Sequence, residues 1–303
     1  MSEEMSRKAR LVKNMIMFAT SRHFIGPRLK DGTIRQHLVE PPWHCPDGYI
    51  NMPIRMERFE MELLTPPQAD EEHGQIILQL HGGGYIAKIR NAYRDVAVFY
   101  SKMPGNRRVL SVDYRVADEN PYPAALEDAV DAYQWLLNAG YSGDRIILAG
   151  DSAGGGLVLA LAMYLRDHGI SLPRCLVMMS PWTDLTASGA SYQDNYEKDP
   201  LFGNTRESMI YNGAYAGGYD PKTPYISPMF GDFHGLPPML FQVGGDEMLL
   251  SDSVDAAAKA EEAGGCVQLS VYEEMYHVFQ LALEHLPESE KAWKEVEEFL
   301  DNH

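Results

Sequence analysis

Three cysteines, Cys45, Cys175 and Cys266, are all that the chain carries, and they lie far apart. That spacing excludes a disulfide framework and a cysteine-based metal site, and it makes the reducing cytoplasm the expected compartment. Cationic side chains are also scarce: 26 Lys and Arg stand against 43 Asp and Glu, a formal net charge of −17. Nucleic-acid backbones and anionic membrane surfaces would be repelled, so neither is an expected partner. No apolar run reaches the about 18 residues that a membrane span requires. The opening stretch MSEEMSRKARLVKNMIMFATSRHF also lacks the uninterrupted apolar core and small-residue cleavage site of a secretory signal. Its Leu11, Val12, Met15, Ile16 and Ala19 fall at helical spacing, which predicts an amphipathic helix lying on the main domain. No internal repeat or low-complexity tract is found.

What the chain does contain is a regular alternation. With 303 residues and 45% hydrophobic content it can bury a sizeable core. Short apolar runs recur as RFEMEL, IILQL, RVLSVDY, RIILAG, CLVMMS, MLFQVG and VQLSVY. Several are continuous rather than alternating, as strands buried on both faces tend to be. Between them lie helical patterns: PAALEDAVDAYQWLLNAG, AGGGLVLALAMYLRDHG, SVDAAAKAEEAGG and the final EKAWKEVEEFLDN. The alternation predicts an α/β fold, a mostly parallel sheet with helices on both faces. Residues 182–235 break the rhythm, being polar, aromatic and rich in Gly, Asn, Tyr and Pro. They are expected to form, with residues 1–50, a cap on a catalytic domain made of 51–181 and 236–303.

The chemistry concentrates at predicted strand ends. GDSAG fits G-x-S-x-G at Gly150, Ser152 and Gly154, with a strand before it and a helix after it. That is the context of a nucleophile elbow, where glycines let strand and helix approach closely. A serine hydroxyl needs a base to take its proton, and the base needs an orienting acid. His277, in the loop after VQLSVY, is the candidate base, because sites in open parallel sheets gather at the carboxyl ends of strands. His168, His234, His285 and His303 read as solvated or packing residues. Asp246 directly follows MLFQVGG and is the candidate acid, with Glu247 beside it as the rival. The order Ser152, Asp246, His277 is that of an α/β-hydrolase triad. After IILQL comes HGGGY, whose Gly83 and Gly84 N–H groups, with that of Ala153, can be aimed at an oxyanion. GGGYIA also matches a dinucleotide fingerprint, but the following KIRNAYRD opens no apolar-faced helix at the third small residue, and Asp113 lies too far on.

HGGG, DYRVADENPYPAALEDA, GDSAGG, SPWTDL, VGGDEMLLSDS and HVFQ, in that order over residues 76–280, together resemble the bacterial hormone-sensitive-lipase-like (family IV) carboxylesterases. The resemblance implies the α/β-hydrolase fold with a helical cap and a small acyl ester of short to medium chain as substrate. It carries over Ser152, Asp246 and His277 as the triad, and Gly83, Gly84 and Ala153 as oxyanion donors, with no metal or organic cofactor. Tyr85, Tyr211 and Tyr215 are candidate pocket residues. Where the family commonly has a proline in Y-R-L-A-P-E, this chain has Asp118. A lactone or amide hydrolase would use the same residues, and a non-catalytic binder would be expected to lose one of them. VQLSVY reads as the last strand of the sheet, an edge through which a homodimer is expected to form.

Overall fold

The computed structural model describes residues 5–20, 40–70, 72, 74–117, 119–203 and 213–303. Its framework is one eight-stranded sheet: β1 (Ile50–Arg55), β2 (Glu60–Thr65), β3 (Ile76–Leu80), β4 (Arg108–Asp113), β5 (Ile146–Asp151), β6 (Cys175–Met179), β7 (Met239–Gly244) and β8 (Val267–Tyr272). In space they run β1-β2-β4-β3-β5-β6-β7-β8. β1 and β2 pair antiparallel, as do β2 and β4, and every later pairing is parallel.

The predicted apolar runs become these strands for the expected reason. β3, β5, β6 and β7 are buried along their whole length, since helices cover both faces of the sheet. One face carries α3 (Ala124–Asn138), α4 (Ser152–Asp167) and α6 (Leu250–Glu262), whose Leu126, Leu157 and Ala256 join Leu78, Leu148 and Phe241. The other carries α2 (Asn91–Lys102) and α7 (Pro287–Asn302), whose Val96, Tyr100 and Trp293 meet Ile77 and Val177. β1 is a strand that the apolar pattern does not announce. It lies at the sheet's outer edge, the position where its Pro53 costs no ladder hydrogen bond that a central strand would need.

The N-terminal helix α1 (Arg7–Thr20) forms and lies on the main domain, with part of its predicted apolar face packed. Ala9 packs, with Val12 and Ile16, against Tyr272, Met275, Phe279 and Leu286. Leu11 and Met15 point outward, 60% and 62% exposed, while Lys13 faces inward. Lys13 shares the buried side of the helix with Ala9 and pairs there with the Asp246 carboxylate. Residues 182–203 and 213–235 hold only the short helix α5 (Ser191–Asp194) and two 3₁₀ turns, with no strand among the described residues. The Thr20 hydroxyl donates to the Pro200 carbonyl at 2.5 Å, joining α1 to this segment. No helix among the described residues is long and apolar enough to cross a membrane.

Candidate active site

Ser152 opens α4 directly off β5, with φ of +51°. A side chain at Gly154 would place its Cβ 2.0 Å from the Leu80 carbonyl oxygen, so only glycine lets helix and sheet meet this closely. His277 lies in the loop after β8, and its Nε2 stands 2.9 Å from Ser152 Oγ. Its Nδ1 stands 2.6 Å from Glu247 Oε2. An ionised carboxylate only accepts, so Nδ1 carries the proton and donates to Glu247. Nε2 is then the acceptor for the serine hydroxyl.

The acid at the histidine is therefore Glu247 and not Asp246. The two neighbours leave the turn after β7 in different directions. Asp246 pairs with Lys13 of α1, and its N–H donates to the Met275 carbonyl at 3.0 Å. Glu247 turns inward and is fully buried. Its Oε1 accepts from the Gly244 N–H at 2.5 Å and from Ser180 Oγ at 2.8 Å, leaving Oε2 for the histidine. Burial alone would push the His277 imidazole down, but the Glu247 charge and hydrogen bond, with Asp199 and Asp151 behind them, raise it above the ordinary histidine value. An imidazolium is thus stabilised in a buried place.

The glycine loop after β3 lies alongside, because β3 and β5 are paired neighbours with Leu80 opposite Gly150. Asp151 holds the loop: its Oδ1 accepts the Gly82 N–H at 3.1 Å and its Oδ2 the Tyr93 hydroxyl at 3.1 Å. The Tyr114 hydroxyl donates to the His81 carbonyl at 2.6 Å, and the two rings stack at 4.2 Å. Gly83 and Gly84 have φ of +112° and +63°, conformations that favour glycine. Neither of their N–H groups is engaged in a hydrogen bond among the described residues. Ala153 sits in the first turn of α4, where a helix leaves its N–H groups unpaired.

Of the three tyrosines, Tyr211 lies outside the described residues. Tyr85 and Tyr215 stack on each other with centroids 3.7 Å apart, and each is 1% exposed. The two rings pack against each other inside the fold. Closer to the chemistry is Phe202, whose ring centre lies 4.9 Å from that of His277. Sequence reasoning passed over it, as it did Asn195 and Asp199. Asn195 Nδ2 donates to the carbonyls of Gly245 and Glu247 at 2.9 and 3.0 Å. Asp199 accepts the N–H groups of Phe202 and Met248. Thus Asn195 and Asp199 fix the turn that carries Glu247. The only signal in the sequence was the break in β-α rhythm.

A family model described as α/β-hydrolase fold matches residues 77–281. An acetyl-hydrolase of Streptomyces hygroscopicus is 38% identical over 283 residues, 88% of this chain and 94% of the relative. A solved esterase of the bacterial hormone-sensitive-lipase family superposes with a TM-score of 0.82 at 37% identity, covering 98% of each chain. This chain belongs to the hormone-sensitive-lipase-like family of α/β-hydrolases. As a member of that family it is a carboxylic ester hydrolase. An esterase of Acinetobacter venetianus is 34% identical over 247 residues, 82% of this chain and 80% of the relative. The structure of EstE5 soaked with p-nitrophenyl butyrate aligns with a TM-score of 0.86 at 34% identity over 97% of each chain.

Proposed function

We propose that this esterase cleaves short- to medium-chain acyl esters through Ser152 as nucleophile, His277 as base and Glu247 as orienting acid. The observation that carries the reading is the continuous hydrogen-bonded relay from Ser152 Oγ through the imidazole to Glu247. His277 Nε2 takes the hydroxyl proton as Ser152 Oγ attacks the ester carbonyl. The oxyanion is received by the N–H groups of Gly83, Gly84 and Ala153. Collapse expels the alcohol, which takes the proton from His277 and leaves an acyl-serine. Water then repeats the sequence: His277 deprotonates it, the acid is released and Ser152 regains its proton. None of these steps calls for a metal or an organic cofactor. The family resemblance and the soaking of EstE5 with p-nitrophenyl butyrate support the short acyl class.

Ser152→Ala and His277→Ala test the assignment on p-nitrophenyl butyrate. Both are expected to lose on the order of 10³-fold in kcat or more, and activity kept within about tenfold of wild type overturns the roles. A hydrolysis profile from acetate to palmitate tests the acyl class, and a maximum at the long end contradicts it.

Residues 1–50 and 182–235 are proposed to cap this site, supported by the grip of Asn195 and Asp199 on the Glu247 turn. The free cysteines support a reducing cytoplasm. The edge position of β8, with Val271 43% exposed, supports a homodimer through that strand. A sedimentation mass of one chain at micromolar protein argues against the dimer.

A further inference from the structure

SPWTDL begins at Ser180, immediately after β6, and the reaction as derived above gives this serine no task. It is completely buried, and its φ of +47° is one that a side chain rarely adopts. Its hydroxyl donates to Glu247 Oε1 at 2.8 Å, and Ser180 Oγ in turn accepts the N–H of Val278 at 3.2 Å. Val278 adjoins His277 and is itself at φ +51°. Two strained residues on different loops are thus tied together at the point where acid and base meet, the pattern in which strain accompanies function.

The strand order explains how one hydroxyl reaches both loops. β5, β6, β7 and β8 are consecutive in the sheet, and at their carboxyl ends stand Ser152, Ser180, Glu247 and His277 in turn. The Ser180 N–H donates to the Gln242 carbonyl at 2.6 Å, which fixes its backbone to β7. A glutamate in the acid position has one more rotatable bond than an aspartate, so its carboxylate needs more to hold it. The Gly244 N–H holds Oε1 from within the same turn. Ser180 holds it from another strand and joins it to the histidine loop.

We propose that Ser180 is a positioning residue for the relay, locking the Glu247 carboxylate and the His277 loop into one orientation. This rests on reading the Ser152–His277–Glu247 relay as catalytic. Ser180→Gly probes it, since glycine adopts a φ of +47° without strain and only the side chain is lost. With p-nitrophenyl butyrate, kcat is expected to fall about 10- to 100-fold with KM changed less than about twofold. In a Glu247→Gln background the same change is expected to cost less than about threefold, because no carboxylate remains to be oriented. A kcat within about twofold of wild type, or losses that multiply in the double variant, overturns the proposal. Where Ser180→Gly melts below assay temperature, Ser180→Cys carries the same comparison with its weaker donor. A reduced kcat in the wild-type background alone supports the role, and equal reductions in both backgrounds refute it. Should Glu247→Gln or Ser152→Ala by itself stay fully active, the relay reading fails, a result that no outcome at Ser180 can mimic.

Discussion

Lys13, on the N-terminal helix, pairs with the Asp246 carboxylate and donates to the Glu274 carbonyl at 2.9 Å. One cation thereby joins the turn that carries Glu247 to the loop that carries His277. Lys13→Met leaves Asp246 with its charge largely out of water, and it is expected to lower stability by about 1.5–3 kcal/mol. Chemical denaturation of the two proteins measures this, and a difference below about 0.5 kcal/mol would mean that the pair contributes nothing.

Asp246 and Glu247 should separate cleanly in kinetics. Glu247→Gln removes the charge that steadies the imidazolium, with an expected loss on the order of 10³- to 10⁴-fold in kcat, as for the acid of other serine triads. Asp246→Asn touches only the Lys13 pair and is expected to keep kcat within about threefold. The reverse ranking would return the acid role to Asp246.

The pH dependence follows from His277. The base must be neutral, so kcat/KM falls as pH drops through its pKa, which Glu247 holds above the ordinary histidine value. The acidic limb of the profile is therefore expected above about pH 6.5. In Glu247→Gln the limb should move down, because burial is then opposed only by the more distant Asp199 and Asp151. An unmoved limb would show that a group other than His277 titrates.

Asp151 gives a stability signature of opposite character. Burial pushes its carboxyl up to about 6, against the pull of Tyr93, His277 and Gly82. The folded protein binds this proton more tightly than the unfolded chain. Its contribution is therefore full below about pH 4 and is lost as pH climbs to about 6. Asp151→Asn keeps an acceptor for the Gly82 N–H and has no charge to bury. Its stability relative to wild type should rise between those limits and level off above them, as read from denaturant midpoints across the range. A difference flat with pH would show that Asp151 does not titrate there.

How far the sequence could be read depended on whether the deciding interaction was local. The strands from β3 to β7 were legible because burial on both faces demands continuous apolar runs, and the elbow because strand, glycine and helix follow one another. α2 was not, since the polar KIRNAYRD hides the apolar residues Val96, Ala97 and Tyr100 that come after it. The choice between Asp246 and Glu247 was not local either. Both occupy the right turn, and the direction of each is set by partners such as Lys13, 233 residues away, and Ser180, 67 residues away. The same lysine lies on the buried side of α1, a place that apolar spacing alone does not announce.

Ser152 and His277 are 125 residues apart, and the loop that carries His277 follows the edge strand β8. No short fragment of the chain can possess any part of the chemistry, and within a single chain the base follows the strand with a neighbour on one side only. Edge elements open with less free energy than the centre of a sheet. In a denaturant series, ester turnover should vanish before the signal of the buried Trp182 beside α4 changes. The enzyme would then act as its own sensor of fraying at one border of the sheet.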